Sequence, residues 1–290
     1  MTRRELITGA AALSAAAAVS NPGCSAAAGG GIKKSILITM LPDDIPFLDR
    51  FKLAVELGFH EMEVRTVEDD AEAQQIKDAA DKAGLRIHSV MNMAHWKYPL
   101  SSPAPAEVEA SVAGMEKSLN QAKLYEADAV LLVPAVVRAD TTYEQAWERS
   151  HEQVRKLIPS AERLGVTIAI EEVWNRFLLT TADFVRYVDE FGTPAVQAYF
   201  DIGNIVHYGV PQHWISALGK RIVKVHLKDY KYGDREFVNL GEGDVDWEAC
   251  RTALAGIGYE GNATLELRGG DREYLADLSS RVDKLVLGKA

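Results

Sequence analysis

From Lys33 onward, short β-branched segments alternate eight times with stretches that have the period of amphipathic helices. The predicted strands are Ser35–Leu41, Glu61–Thr66, Arg86–Asn92, Ala129–Pro134, Thr167–Val173, Gln197–Ile202, Ile222–Leu227 and Ala263–Leu267. Several helical stretches end in glycine, the usual stop residue before a turn into a strand: Gly58, Gly84, Gly165 and Gly192. Eight strands, each followed by a helix, predict an α/β fold with a closed (β/α)8 TIM barrel rather than an open sheet.

Composition and charge are compatible with one barrel and argue against some classes of partner. The 290 residues are 47% hydrophobic and 26% charged, which provides enough apolar material for one sizeable core. No linker-like segment interrupts residues 32–290, so we predict a single domain there. The net charge of −10 argues against nucleic acid or an anionic membrane surface as the main partner, because both require a basic surface.

The first 31 residues have the pattern of an export signal. Two arginines at positions 3 and 4 precede an uncharged, alanine-rich run over residues 6–19, and small residues follow. This pattern predicts a twin-arginine signal peptide and export to the periplasm, with Cys24 as an alternative lipid anchor and no transmembrane segment after cleavage. Because Cys250 is the one cysteine outside this leader, we predict no internal disulfide.

Side chains that bind metal ions end the last four predicted strands. They are Glu172, Asp201, His226 and Glu266. Each of these strands is apolar, and a charged group at its end is costly to bury alone, whereas a shared cation would offset that cost for all of them. In a (β/α)8 barrel the carboxyl ends of the strands meet at one rim, which is where active sites lie. The sequence therefore predicts a metal site at this rim.

The fifth predicted strand ends in two adjacent glutamates, so the choice between them depends on side-chain alternation. Ile168, Ile170 and Glu172 fall on one side of the strand and Glu171 on the other. This period favours Glu172 over Glu171 as the inward carboxylate. The same alternation turns the histidine of the seventh strand and the glutamate of the eighth strand inward.

Three carboxylates and one imidazole form a mostly oxygen-donor site. This donor set suits one divalent metal ion, with Mn²⁺ preferred and Mg²⁺, Co²⁺ or Zn²⁺ as alternatives. An ion that binds a carbonyl and the neighbouring hydroxyl acidifies the C–H between them and stabilises an enediolate. Glu172 and Glu266, on separate strands, are then positioned to act as base and acid on opposite faces of that carbon. This chemistry predicts an epimerase or an isomerase.

Five motifs together resemble the sugar phosphate isomerase/epimerase superfamily, the xylose-isomerase-like TIM barrels. They are EEVWNRF (171–177), FDIGN (200–204), KVHLKDY (224–230), NLGEGDVDW (239–247) and LELR (265–268). The first resembles D-tagatose 3-epimerase-like enzymes, and the later ones resemble L-xylulose 5-phosphate and hexulose phosphate 3-epimerases. The resemblance implies Glu172, Asp201, His226 and Glu266 as metal ligands, Glu172 and Glu266 as the acid–base pair, and a homodimer or homotetramer.

Departures from the family pattern bear on the substrate. Tagatose-epimerase-like enzymes have a histidine where this chain has Asn204, and an arginine near the position of Lys228. Together with the predicted export, this favours a free ketose or an oxidised (3-keto) glycoside over a sugar phosphate. The predicted substrate-binding residues are Asn204, Lys228, Asp229, Arg268, Glu63 and His88. His95, Trp96 and Trp174 are candidates for an aromatic wall of the sugar pocket.

Three alternatives to an epimerase follow from the same residues. A metal-dependent lyase that cleaves 3-keto glycosides by elimination would use the same ion and the same glutamates. A sugar-binding barrel without catalytic activity is the second alternative, because fold alone never proves activity. An endonuclease IV-like repair enzyme is disfavoured, since such a three-zinc site needs further histidines and this chain is acidic.

Overall fold

The computed structural model describes residues 31–289, so the predicted leader, with its paired arginines and Cys24, lies outside the described residues. The strands are β1 (Lys33–Leu37), β2 (Glu61–Arg65), β3 (Arg86–Met91), β4 (Ala129–Leu132), β5 (Thr167–Glu171), β6 (Val196–Asp201), β7 (Ile222–Leu227), β8 (Asp229–Lys231), β9 (Glu236–Val238) and β10 (Asn262–Leu265). The helices are α1 (Phe47–Glu56), α2 (Asp70–Ala83), α3 (Pro105–Tyr125), α4 (Tyr143–Leu164), α5 (Thr181–Asp189), α6 (Ile202–Val206), α7 (Pro211–Leu218), α8 (Trp247–Gly256) and α9 (Arg272–Leu285).

Eight parallel strands close into a barrel in the order β1-β10-β7-β6-β5-β4-β3-β2. Every neighbouring pair in this order is parallel, and β1 closes the sheet by pairing with both β2 and β10. The predicted (β/α)8 TIM barrel is therefore confirmed. Across residues 31–289, no helix is both long enough and apolar enough to cross a membrane.

The chain turns from helix to strand at the glycines that the sequence predicted. Gly58, Gly84, Gly165 and Gly192 all have positive φ, between 65° and 80°. Gly84 and Gly165 are the left-handed C-caps of α2 and α4, and their N–H groups bond to the last turn of each helix. A side chain with a Cβ would be strained at this φ, which is why glycine ends these helices.

Two apolar layers form the core. The larger layer lies between the strands and the helices and contains residues such as Ile168, Ile170 and Val225. The smaller layer fills the barrel interior and consists of Leu37, Met91, Ala129, Leu131, Val133, Ala169 and Tyr199. Side-chain alternation along each strand therefore decides which residues face the helices and which face the barrel axis.

A hairpin covers part of the carboxyl end of the barrel. The segment that follows β7 contains the antiparallel pair β8–β9. Asp229, which is fully buried, anchors it by accepting hydrogen bonds from the backbone N–H groups of Tyr230 (2.9 Å), Gly241 (2.7 Å) and Val245 (3.2 Å) and from Nε1 of Trp247 (2.9 Å). The predicted substrate ligand Asp229 thus lies inside the loop and holds it together.

At the opposite end of the barrel, a charged network closes the interior. Glu61 accepts hydrogen bonds from Lys33 (2.6 Å) and Arg86 (2.5 Å), and Asp128 pairs with Lys224 (2.6 Å). Burial opposes the charged form of Glu61 and of Asp128, but their cationic neighbours outweigh it and lower the pKa of both carboxyls. The charged forms of this network therefore stabilise the folded state.

This network predicts a loss of stability in acid. Carboxyls with lowered folded pKa values contribute stability above their unfolded values, about 4.3 for Glu and 3.9 for Asp, and lose it as the pH falls further. We expect Glu61→Gln to reduce the free energy of unfolding at pH 7 by about 1–3 kcal/mol. The variant should lose less additional stability than the wild type between pH 5 and pH 3. Urea denaturation in the presence of a chelator measures both effects, and equal acid dependence in the two proteins would contradict the assignment.

Candidate active site and metal centre

Four potential metal ligands converge at the carboxyl end of the barrel. Glu171 ends β5, Asp201 ends β6, His226 lies in β7 and Glu266 follows β10. These four strands are neighbours in the barrel, so their ends form one continuous arc of the rim. One ligand atom from each residue lies within 4.8 Å of the others. We call these four residues the rim cluster.

His226 is the centre of the rim cluster and is fully buried. Its Nδ1 lies 2.9 Å from Glu171 Oε1, 2.7 Å from Glu266 Oε2 and 4.0 Å from Asp201 Oδ2. The inward direction predicted for His226 and Glu266 is thus confirmed. Because Nδ1 faces all three carboxylates, it is the ring nitrogen available to a shared cation.

The other ring nitrogen of His226 contacts a buried carboxylate. His226 Nε2 lies 2.7 Å from Glu63 Oε2, and the Tyr199 hydroxyl donates to the same oxygen at 2.6 Å. Burial opposes a charged ring, but Glu266 and Glu63 raise the pKa of His226 well above its usual value. A cation bound at Nδ1 would replace the proton there, with the carboxylate of Glu63 behind Nε2, the usual arrangement of a metal-binding histidine. The sequence predicted that Glu63 lines the sugar pocket, but the structure places it, fully buried, beneath the rim cluster.

His88 also lies inside the barrel rather than in an open pocket. It is fully buried, and its Nε2 lies 3.0 Å from the hydroxyl of Thr264. Burial, together with the nearby cations Lys224 and Arg86, lowers the pKa of His88 well below its usual range. The predicted substrate contact of His88 is therefore replaced by a neutral, internal hydrogen bond.

The structure places Glu171, and not Glu172, in the rim cluster. Ile168 and Ile170 pack in the layer between strands and helices, whereas Ala169 belongs to the layer inside the barrel. Glu171 has the same inward phase as Ala169, so the phase predicted for this strand was wrong by one residue. Both faces of a barrel strand are apolar, and a small inward alanine gives no sequence signal that separates them.

Glu172 is buried immediately beside the cluster. Neither of its carboxylate oxygens has a hydrogen-bond partner among residues 31–289. Burial, and the nearby charges of Asp201 and Glu171, raise the pKa of Glu172 well above its usual range. An unpaired buried carboxyl is costly, so such groups occur mainly where a ligand or an ion completes them.

The rim cluster carries more acidic than basic groups. Burial raises the pKa of Glu171 to about 7, although the hydrogen bond to His226 acts in the opposite direction. Burial also opposes the charge on Glu266, but His226 and Lys228 outweigh it and lower the pKa of Glu266. A further positive charge would stabilise the ionised form of every carboxyl in the cluster.

Lys228 already supplies one positive charge at this position. Its ammonium lies 2.9 Å from Asp201 Oδ2 and 2.8 Å from Glu266 Oε2. Burial opposes charge on Lys228, but Asp201 and Glu266 raise its pKa above its usual value. The cluster therefore attracts cations, and its three carboxylates and one imidazole form a donor set that fits a divalent metal ion.

Asn204 connects the ends of two rim strands. Its backbone N–H donates to Asp201 Oδ1 (2.9 Å), its side-chain amide donates to the Glu172 carbonyl (3.3 Å), and its own carbonyl accepts from Trp174 Nε1 (3.0 Å). A substrate contact of the kind predicted for Asn204 would use its side-chain amide, which already donates to the Glu172 carbonyl. In the structure, Asn204 fixes the position of the ligands around it.

His95 is a further polar group near the cluster, where the sequence had predicted an aromatic wall. The backbone N–H of Val133 donates to His95 Nδ1 at 3.1 Å, which leaves the proton of the neutral ring on Nε2. Burial lowers the pKa of His95 to about 3, despite the opposing charge of Glu266. Its Nε2 has no hydrogen-bond partner within the part of the chain that the structure describes. The ring is therefore a neutral donor at the site.

An open cavity of about 510 Å³ adjoins the rim cluster. Lys228 and Glu266 belong to its wall, and so does Arg268, which the sequence predicted as a substrate-binding residue. Phe237 of the hairpin also lines it and stacks on Trp174, with ring centroids 4.9 Å apart and an interplanar angle of 16°. The site thus extends from the cluster to the hairpin.

Curated relatives of this chain are sugar epimerases. The L-ribulose-5-phosphate 3-epimerase of Salmonella paratyphi C is 29% identical over 243 residues, which cover 78% of this chain and 84% of that protein. The corresponding protein of Salmonella typhi matches to the same extent. These relatives agree with the predicted class of enzyme, an isomerase or epimerase.

Solved structures share the fold. A D-tagatose 3-epimerase-like protein superposes with a TM-score of 0.78 at 17% identity, covering 89% of this chain and 97% of that chain. The 3-keto-D-glucoside 4-epimerase of E. coli has a TM-score of 0.73 at 17% identity, covering 86% and 99%. The family description "Xylose isomerase-like TIM barrel" matches residues 51–282, most of the sequence. The chain therefore belongs to the xylose isomerase-like TIM barrel family.

Proposed function

We propose that this protein is a divalent-metal-dependent sugar isomerase or epimerase that acts on a ketose or keto-sugar through an enediolate. The observation that carries the proposal is the rim cluster, in which Glu171, Asp201, His226 and Glu266 bring ligand atoms within 4.8 Å of one another. The epimerase relatives and the family membership support the same class of reaction.

In this proposal the rim cluster holds one metal ion, for which Mn²⁺ is the first candidate and Mg²⁺, Co²⁺ or Zn²⁺ the alternatives. The ion supplies Lewis-acid activation of the sugar carbonyl and its neighbouring hydroxyl. Glu63 fixes the ring of His226 through Nε2. Lys228, already paired with Asp201 and Glu266, is placed to donate to a substrate oxygen at the edge of the cluster.

Two glutamates at the ends of the arc exchange the proton. Glu171 and Glu266 come from β5 and β10, with β6 and β7 between them in the barrel order. One carboxylate removes the proton of the carbon next to the carbonyl, and the other, protonated, returns one from the opposite face. Return to the same carbon inverts it, and return to the neighbouring carbon moves the carbonyl. Glu172, which the sequence favoured for this role, lies beside Glu171 as the alternative.

Export is part of the proposal. The paired arginines at positions 3 and 4 and the apolar run that follows support a periplasmic location, where free sugars and glycosides are the available substrates. A homodimer or homotetramer is proposed from the family resemblance.

Glu171→Gln and Glu172→Gln form a matched pair that separates the two adjacent glutamates. We expect Glu171→Gln to weaken Mn²⁺ binding about 100-fold or more, because a charged ligand becomes a neutral one. Glu172→Gln should change the affinity by less than about tenfold. Titration of metal-stripped protein by calorimetry measures both. A larger loss in Glu172→Gln than in Glu171→Gln would return the ligand role to Glu172.

Glu63→Gln should weaken metal binding without removing a ligand. We expect a loss of about 10–100-fold in Mn²⁺ affinity, because His226 loses the charged acceptor that orients its ring. Tyr199→Phe is the control, since it removes one hydrogen bond to Glu63 but keeps the carboxylate, and its effect should be smaller. Equal affinity of Glu63→Gln and wild-type protein would show that this contact is unimportant for the metal.

The enediolate is tested by exchange of a substrate C–H with solvent. The Mn²⁺-loaded protein in D₂O should incorporate deuterium next to the carbonyl of a converted ketose or 3-keto glycoside. Glu171→Gln and Glu266→Gln should lower this rate by about 100-fold or more, because each removes a proton-transfer group. NMR follows both the exchange and the product.

Product analysis in the same experiment distinguishes the alternatives. Inversion or carbonyl migration without cleavage supports an isomerase or epimerase. Exchange that is accompanied by release of the glycosidic substituent indicates a lyase. Tight sugar binding without exchange for any of these sugars would leave a sugar-binding barrel and overturn the proposed reaction.

A further inference from the structure

The cavity beside the rim cluster has room for more than the reacting carbons. Its volume of about 510 Å³ lies in the range of small-molecule sites, about 300–1,000 Å³. Lys228 and Glu266 form part of its wall. Because Glu266 belongs to the rim cluster and Lys228 is paired with it, a substituent on a sugar bound at the cluster would reach this cavity directly.

In the loop beside the cavity, backbone N–H groups that could bind an anion are already hydrogen-bonded to a side chain of the same loop. In (β/α)8 barrels a phosphate is commonly bound by backbone N–H groups of the loops after the last two strands. Here the N–H groups of Tyr230, Gly241 and Val245 all donate to the carboxylate of Asp229. Asp229 is fully buried in this loop, so its charge also disfavours a second anion nearby.

The amino terminus of α9, the helix that follows the last barrel strand, is likewise already occupied by a carboxylate. Asp271 caps the amino terminus of α9, and its side chain accepts from the Tyr274 N–H at 2.9 Å. Glu273 adds a second acidic group to the first turn of this helix. A phosphate at this position would have to displace the cap and approach two carboxylates.

The charged residues of the cavity wall are mainly acidic. Glu236, Glu242 and Glu266 contribute three carboxylates, while Lys228 and Arg268 contribute two cations. Lys228 is already paired with Glu266 and with Asp201 outside the cavity. Glu242 is likewise paired with Arg281 (2.9 Å), so within the described chain the wall offers a phosphate dianion one cation without an ion pair, Arg268, beside the unpaired carboxylate of Glu236.

The remaining wall is suited to a neutral, hydroxyl-rich group. Phe237 lines the cavity and is 39% exposed, with Trp174 stacked on its ring and the Lys228 ammonium 5.5 Å from its ring centroid, so it presents an apolar aromatic group to the cavity. The apolar C–H face of a sugar ring packs on such surfaces. Around it, Asn239 and Tyr274 are hydrogen-bonded to each other at 2.9 Å, and Glu236 provides acceptors for hydroxyls.

We propose that this cavity is a subsite for an uncharged glycosyl unit, and that the substrate is an unphosphorylated keto-sugar joined to such a unit. This inference rests on the proposed function for the identity of the reacting sugar. It separates the chain from its curated relatives, whose named substrate is a phosphate ester.

Equilibrium binding tests the subsite independently of turnover. The Mn²⁺-loaded full chain is titrated by calorimetry with 3-keto-glucose, with 3-keto-cellobiose, with L-ribulose and with L-ribulose 5-phosphate. We expect the keto-disaccharide to bind about tenfold or more tightly than the keto-monosaccharide. The phosphate ester should bind no more tightly than free L-ribulose, because the cavity offers it few donors.

A matched pair of hairpin variants tests whether the tighter binding of the disaccharide depends on this cavity. Phe237→Ala should remove most of the disaccharide advantage, because it removes the ring that lines the cavity. Tyr232→Ala, at an aromatic residue of the same hairpin that is 59% exposed and does not line this cavity, should keep it. Both side chains are exposed, so neither truncation threatens the fold, and thermal melts verify this.

Two results would overturn the subsite. One is tighter binding of L-ribulose 5-phosphate than of L-ribulose, and the other is a disaccharide advantage that is absent or unchanged by Phe237→Ala. Failure of the proposed function has a different signature, since no sugar would then exchange its C–H in D₂O even where the disaccharide binds as expected. Exchange without any disaccharide advantage removes the subsite alone.

Discussion

Charge compensation around His226 is the constraint on which the rest of the site depends. A fully buried imidazole lies within 2.9 Å of Glu63, Glu171 and Glu266, and Asp201 is 4.0 Å away. Burial raises the pKa of Glu171 to about 7, and the charge of Glu266 acts in the same direction, while His226 opposes both. In our proposal a divalent ion bound at the rim cluster neutralises most of this charge.

The barrel places these charged groups together at one open end, where a small molecule can reach them. The four strands that carry the rim cluster are neighbours, and their carboxyl ends point to the same opening. The opposite end is closed by ion pairs among Glu61, Arg86, Asp128 and Lys224. Stability and chemistry thus lie at different ends of the barrel, as is usual in this fold.

The segment after β7 is the part of the site on which our proposal for the substrate depends. The fold is shared with solved sugar epimerases at 17–19% identity, which speaks for the architecture alone. The segment after β7 carries its own buried anion, Asp229, which occupies the backbone N–H groups that a bound phosphate would need. An internal carboxylate of this kind shapes the loop and, in our proposal, also selects against phosphorylated substrates.

Several features could be predicted from the sequence because they depend on local pattern. The eightfold alternation specified the barrel, the glycines specified the helix ends, and the ligand types of Asp201, His226 and Glu266 at successive strand ends specified the rim. Each of these signals comes from side-chain chemistry at a regular spacing.

The tertiary structure determined which residues face the barrel interior where the sequence spacing allowed two choices. Glu171 and Glu172 are adjacent and chemically identical, and only the packing of Ile168 and Ile170 against the helices determined which glutamate faces the barrel. The burial of Glu63 and Asp229 followed from contacts with His226 on another strand and with a loop 12 to 18 residues away. The sequence by itself determined which groups gather at the rim. Their exact assignment depended on packing between distant segments, because an apolar strand buried on both faces has no preferred inward side of its own.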